Sequence, residues 1–212
     1  MNSPWLDIPN DEYEAHMSAP HVGQRQALDE IFSEAVRRLQ PRALLVAGCG
    51  AGGNWDAVDP LVTTRVTGVD LNPLYLQELQ LRYGTRLPGL ETVCADICTL
   101  DLHEQTYDLI VAALLFEYID VRVGLERLSG LLNPDGVLLC VLQHHSQSST
   151  MVSSTPYESL QRLECVMDLV DFGEFQSCAR DLGLVVHHDR TIPLPGSKAF
   201  RVFELGKIKQ DD

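Results

Sequence analysis

The stretch Val46-Ala47-Gly48-Cys49-Gly50-Ala51-Gly52-Gly53, VAGCGAGG, can be read with two different glycine spacings. One is Gly48-x-Gly50-x-x-Gly53, the other Gly48-x-Gly50-x-Gly52. Just before it, residues 42–47 form an apolar run that reads as a buried strand. A glycine turn after such a strand allows backbone angles that side chains disfavour, and it lets a ligand approach bare N–H groups. Asp70 ends a second strand-like run, RVTGVD at 65–70. An acid about 20 residues beyond a glycine turn of this kind is placed to take the hydroxyls of a ribose. Either spacing therefore predicts a nucleoside-bearing ligand.

Outward from this stretch the pattern alternates. Apolar residues at Ala27, Leu28, Ile31, Phe32, Ala35, Val36 and Leu39 follow the 3.6 period of an amphipathic helix that Pro41 ends. A short helical piece precedes it around 11–17. Further strands are expected at 90–95, 107–113 and 137–143, with helices at 72–83 and 121–132 and a turn at NPDG, 133–136. Residues 157–182 read as mostly helical with an interruption near Gly173. Two last strands, 184–191 and 198–205, are joined by only about six residues, too few for a parallel crossover, so this pair must be antiparallel. The expectation is an α/β fold: a doubly wound, seven-stranded, mostly parallel sheet with helices on both faces and one reversed strand near the C-terminus. Residues 1–40 form a helical N-terminal segment and 41–208 a single compact domain.

Composition narrows the partners. With 16 basic and 30 acidic side chains the formal net charge is −14. Such a field repels phosphate backbones and anionic bilayers, so nucleic acid and membrane surfaces are not expected partners. The six cysteines have no CxxC pair, and most lie in apolar runs where a thiol packs as a small hydrophobe. No apolar run reaches the length of about 18 residues that a membrane helix needs. A reducing, cytoplasmic setting without a bound metal is expected.

Three features choose between the two spacings. Asp56 is expected in the first turn of the helix after the loop, with Asp59 close behind. Carboxylates there suit a ligand without phosphates better than a pyrophosphate. Asp96, in CADI at the end of the third strand, can accept an adenine amino group. The short reversed hairpin at the end is also not the usual close of a dinucleotide domain.

The order of these motifs resembles the class I, Rossmann-like methyltransferases that use S-adenosylmethionine. LLVAGCGAGG, VTGVDLNP, CADI, YDLIVAALLFEYID and LLNPDGVLLCVLQ are similar to five successive motifs of that family, and the match spans roughly residues 42–205. The resemblance implies that Gly48, Cys49, Gly50 and Gly52 hold the methionine end of the cofactor and Asp70 its ribose diol. It implies that Leu71 packs on the adenine, that Asp96 and Ile97 fix the adenine edge, and that Ala112, Ala113 and Leu114 line the methionine side. Val46 stands where the family usually has an acid. Residues 13–28 are similar to a lid segment in some bacterial small-molecule methyltransferases.

Methyl transfer needs an aligned nucleophile in a dry pocket, and a base only where the acceptor must lose a proton. Polar candidates for that pocket are Tyr13, His16, Glu117 with Tyr118, and His144 with His145, the last pair opening a long polar loop. His187 and His188 read as structural. ALLFEY follows the fourth strand in place of the Asn/Asp-Pro-Pro-Tyr/Phe signature of nucleic-acid amino methylation, so a small-molecule acceptor is expected. An NAD(P)-dependent oxidoreductase and a non-catalytic S-adenosylmethionine-binding protein are the alternatives.

Overall fold

The computed structural model describes residues 3–102, 105–145 and 153–208. Seven strands, β1 (Ala43–Ala47), β2 (Arg65–Asp70), β3 (Leu90–Cys94), β4 (Tyr107–Ala113), β5 (Leu132–His145), β6 (Leu184–Pro193) and β7 (Lys198–Lys207), form one sheet in the order β3-β2-β1-β4-β5-β7-β6. Strands β1 to β5 are parallel, and β7 runs antiparallel to both β5 and β6. The reversed strand expected from the short final connection is therefore β7, inserted between β5 and β6.

Among the described residues there are six α-helices: α1 (Asn10–Ser18), α2 (Gln24–Leu39), α3 (Pro73–Tyr83), α4 (Val121–Gly130), α5 (Glu158–Gln161) and α6 (Phe172–Asp181). Helices α2 and α3 bury Ile31, Phe32, Leu76 and Leu79 against Leu44, Val46, Val111 and Val141 on one face of the sheet. Helices α4 and α6 bury Leu125, Leu128 and Phe175 against Leu45, Ile110, Ala112 and Leu142 on the other. Because both faces are covered, β1 is buried at all five positions, as its unbroken apolar run requires.

The caps explain several boundaries. The Asn72 carboxamide oxygen accepts from the Leu74 N–H at 2.9 Å ahead of Pro73, so α3 starts with a side-chain cap and a first-turn proline. Asp171 caps α6 through the Glu174 N–H at 2.9 Å. The single interrupted helix expected over 157–182 is instead α5, a 3-10 turn at Arg162–Cys165, a non-helical stretch and α6. Its break precedes Asp171, and Gly173 lies inside the new helix. NPDG is an excursion within β5: Leu132 pairs with Tyr107, Val137 with Leu109, and the four residues between are left out of the ladder.

The largest departure follows the glycine loop. Between β1 and β2 there is only a 3-10 turn at Trp55–Ala57. Gly52, Gly53 and Asn54 are poor helix formers, and Pro60 drives Asp59 away from helical angles. The segment is secured from outside. The Tyr83 hydroxyl donates to the Gly53 carbonyl at 2.6 Å, and the Arg86 guanidinium donates to the Trp55 and Asp56 carbonyls at 3.0 and 2.6 Å. Trp55, only 2% exposed, stacks between Phe32 and Tyr83 in the space a helix would fill. Asp56 therefore caps no helix. It points outward and pairs with Arg86 at 3.4 Å.

Candidate active site

The chain reverses direction at the carboxyl edge of β1, beside the point where strand order turns from β2 to β4, the usual ligand crevice of an open α/β sheet. Gly48, Gly50 and Gly52 have φ of 68°, 54° and 84°, and Gly53 is not among the positive-φ glycines. The left-handed backbone thus falls on the Gly48-x-Gly50-x-Gly52 spacing. A Cβ at Gly52 would stand 2.8 Å from Leu79 Cδ1, whereas one at Gly50 would meet nothing within 4 Å, so Gly50 faces open space.

Asp70 ties this loop to β2. Its Oδ2 accepts from the Gly50 N–H at 2.8 Å and its Oδ1 from the Asn72 N–H at 2.8 Å. Burial pushes its carboxyl above the usual range, opposed by these backbone donors. Each oxygen keeps a second lone pair for an incoming hydroxyl. The absent helix also matters here. A dinucleotide pyrophosphate rests on a helix N-terminus with its free N–H groups and dipole, and a single 3-10 turn offers neither.

The N-terminal helices close over the loop. A cavity with about 800 Å³ of empty space, open to solvent, lies between α1, α2, the glycine loop and the ends of β4 and β5. Its apolar floor is Val46, Val111, Ala113 and Val141. Its polar rim is Glu14, Arg25 and Asp29. Arg25 Nε donates to Asp29 Oδ2 at 3.1 Å and Arg25 Nη1 lies 3.7 Å from Glu14 Oε1. Asp29 Oδ1 in turn accepts from the Asn54 N–H at 2.9 Å. None of these three charges stood out in the sequence, since polar positions at helical spacing look like a solvated face.

A second cavity, with about 460 Å³ of empty space, lies beside the first and shares Tyr13 and Met17 with it. Trp5, His16, Leu114, Tyr118 and Gln143 are in its wall. The Trp5 ring meets Tyr13 and Tyr118 edge to face at centroid distances of 5.5 and 5.1 Å. The segment carrying Trp5 is held by α3: Asn72 Nδ2 donates to the Trp5 carbonyl and the Tyr75 hydroxyl to the Ile8 carbonyl, each at 2.9 Å. Tyr13 is pushed up to about 12, chiefly by burial, with Arg25 opposing and Asp70, Glu14 and Glu117 adding, so it remains a neutral hydroxyl. His16 is 8% exposed, and burial together with His21 and Lys198 lowers its pKa. Leu114 holds φ at 52°, a left-handed angle rare for a bulky residue. It stands where the chain leaves β4 between the two cavities.

Glu117 is 1% exposed. Its Oε1 accepts from the Gln143 N–H at 2.6 Å, while Oε2 is buried without a hydrogen-bond partner. Burial pushes its carboxyl up to about 7, against the Gln143 N–H, which favours the charged form.

The other expected positions fall as follows. Ala113 lines the larger cavity and Leu114 the smaller, but Ala112 is fully buried on the opposite face of β4. The Cys49 side chain packs under the loop, its thiol raised by burial and Asp70, which leaves only its backbone facing the crevice. Leu71 is half-buried beside Asp70. Asp96 is exposed and caps a short turn through the Cys98 N–H at 2.8 Å, and Ile97 is buried beneath it. His144 is not brought to either cavity. Gln143 faces the smaller cavity, so His144 faces away, its ring 5.3 Å from Phe172. The side chain of His145 and residues 146–152 of the polar loop lie outside the described residues.

A family model described as a methyltransferase domain matches residues 45–140. No curated protein matches the chain in sequence. Solved structures do match in fold. The N-methyltransferase NodS of Bradyrhizobium japonicum, in complex with S-adenosylhomocysteine, has a TM-score of 0.69 at 15% identity, with 94% of each chain covered. The magnesium protoporphyrin IX methyltransferase of Synechocystis, with the same ligand bound, has a TM-score of 0.67 at 14% identity, with 93% of each chain covered. The 1,6-didemethyltoxoflavin N1-methyltransferase of Burkholderia thailandensis has a TM-score of 0.65 at 19% identity, covering 99% of this chain and 92% of that one. The chain has the fold of the class I methyltransferases. Residues 45–140, the strands and loops that build the crevice, are the part that matches the methyltransferase-domain family.

Proposed function

We propose that the protein transfers a methyl group from S-adenosylmethionine to a small molecule held under its N-terminal helices. The observation that carries this reading is the pair of adjoining cavities. One contains the glycine loop, the other is aromatic and closed by α1, and Tyr13 and Met17 stand in the wall of both. A donor in the first and an acceptor in the second can meet there with their reacting atoms in line. The named solved structures support the reading, since two hold S-adenosylhomocysteine and the third holds both that molecule and 1,6-didemethyltoxoflavin.

The residues present fit the donor. Gly50 is open above and Asp70 offers lone pairs for the ribose diol, with Leu71 and Asp96 assigned to the adenine by the motif resemblance. The donor supplies an electrophilic methyl group on a sulfonium, so the chain's own task is to bind, align and exclude water. Its amino-acid end is a zwitterion, and the rim is complementary to it. Arg25 suits the carboxylate, and Asp29 or Glu14 suits the ammonium. This supplies from α1 and α2 the acid that Val46 does not provide on β1. We expect Arg25→Ala to weaken S-adenosylhomocysteine about tenfold, the loss of one charge-assisted bond. Methylthioadenosine, which lacks the amino acid, is expected to bind both forms alike in titration calorimetry. Equal losses for the two ligands would remove Arg25 from this role.

The direct test is a melting curve. S-adenosylhomocysteine at 100 times its Kd is expected to add about 2.7 kcal/mol, and NAD none. A shift with NAD and none with S-adenosylhomocysteine would reverse the assignment in favour of an oxidoreductase.

A further inference from the structure

We infer that the acceptor is a basic amine, whose nitrogen enters the aromatic cavity beside Glu117 and gives up its proton to the orphan Oε2 of that residue. This rests on the methyltransferase reading. It adds the chemical class of the acceptor and the group that prepares it.

Two independent features point to a cation. The first is Glu117 itself. A buried carboxyl oxygen with no partner is costly and calls for an explanation. Among the described residues no Lys, Arg or His lies within ion-pair distance of it. It sits directly behind the cavity wall: the wall residue Gln143 donates its N–H to the other oxygen, Tyr118 follows it in sequence and Leu114 stands three residues before it, and its carbonyl accepts from Asp168 N at 2.8 Å next to Met167. The second feature is the aromatic set. Trp5, Tyr13 and Tyr118 converge on one small cavity, and ring faces attract an ammonium most strongly where water is excluded. An anionic acceptor would find a second negative charge here, and a phenol would waste the rings' affinity for cations.

The titratable groups facing Glu117 are Tyr13 from α1, Tyr118 on its own turn and Cys140 from β5, each with its pKa raised by burial and by the Glu117 charge itself. All three are therefore neutral near pH 7. Behind the wall residue Ser153, Lys198 donates to its hydroxyl at 3.0 Å and has Glu164 as its counter-charge, while His16 is kept neutral by burial. The step balances as follows. The ammonium N–H bond breaks and an O–H bond forms on Glu117. The freed lone pair takes the methyl carbon as the methyl–sulfur bond opens, leaving its electron pair on sulfur. The methylated amine leaves as an ammonium, Glu117 returns its proton to solvent, and one proton is released per methyl moved.

The test is binding of benzyltrimethylammonium to protein saturated with S-adenosylhomocysteine, with benzoate and p-cresol as the anionic and neutral controls of similar shape. If S-adenosylhomocysteine itself gives no melting shift, the cofactor reading has failed before the acceptor is reached, and the inference falls with it. If it binds, the ammonium is expected to raise the melting temperature further, and more at pH 8 than at pH 6, because Glu117 is charged only above about 7. Glu117→Gln is expected to weaken the ammonium about tenfold while leaving the S-adenosylhomocysteine shift unchanged. Preferential binding of benzoate or p-cresol, or equal ammonium binding by Glu117→Gln, would overturn the proposal.

Discussion

Asp70→Ala is expected to lower the affinity for S-adenosylhomocysteine by 10² to 10³-fold, roughly 3–4 kcal/mol, and to remove its melting shift at concentrations that saturate the wild type. The substitution does two things. It removes the acceptor we propose for two ribose hydroxyls, and it releases the Gly50 and Asn72 N–H groups that the carboxylate now holds at 2.8 Å each. Charge-assisted bonds of this kind contribute about 1.5–3 kcal/mol apiece, so the ligand feels both the missing partner and a looser glycine loop. The unliganded fold should lose far less, because the buried carboxylate is itself under strain: burial has raised its pKa. Its raised value also sets a direction for pH. The ribose hydroxyls need an ionised acceptor, so cofactor affinity is present above the pKa of Asp70 and is lost as the pH falls through it. That loss comes at a higher pH than an ordinary carboxylate would give. Asp70→Asn separates the two effects, since a carboxamide has one acceptor oxygen for two backbone donors. If Asp70→Ala bound S-adenosylhomocysteine with wild-type affinity, the crevice beside Gly50 would not be the cofactor site.

Much of this crevice was legible because its constraints are local. An unbroken apolar run such as 43–47 fits only a strand covered on both faces, and glycines at three alternate positions are needed where φ is 68°, 54° and 84°. Asp70 was readable from its place at a strand end. The helix expected after the loop was not there, although Gly52, Gly53, Asn54 and Pro60 already argued against it; an expected pattern outweighed local propensity. His144 illustrates the phase rule. Val141 and Gln143 face the cavities, so the next residue had to face Phe172. The residues that reading along the chain missed act across it. Arg25, Asp29 and Glu14 look like an ordinary solvated helix face until α1 and α2 fold over the glycine loop. The buried carboxyl of Glu117 is positioned by a backbone donor 26 residues away, bound to the oxygen that is not orphaned. Such partners have no signature in a single sequence.

Glu117 also leaves a mark on stability that needs no ligand. Its carboxyl is raised from 4.5 to about 7 in the folded protein, so between those values the native state holds a proton that the unfolded chain has released. Stability from this group is complete below about pH 4.5 and is lost as the pH rises through about 7. At 1.36 kcal/mol per unit the difference amounts to about 3 kcal/mol. Glu117→Gln cannot titrate. It keeps an oxygen for the Gln143 N–H but buries an amide with no partner, a penalty that does not vary with pH. The comparison is therefore in slope. Between pH 5 and pH 8 the wild type should lose roughly 5–10 °C of melting temperature more than the variant. Asp70, His16 and the surface groups titrate in both proteins and cancel in the difference. Urea unfolding at the two pH values should give the same sign, with the variant gaining about 3 kcal/mol relative to wild type on going from pH 5 to pH 8. Parallel profiles would mean that Glu117 is charged throughout, with its second oxygen reached by water, and the case for a proton acceptor in a dry cavity would be lost.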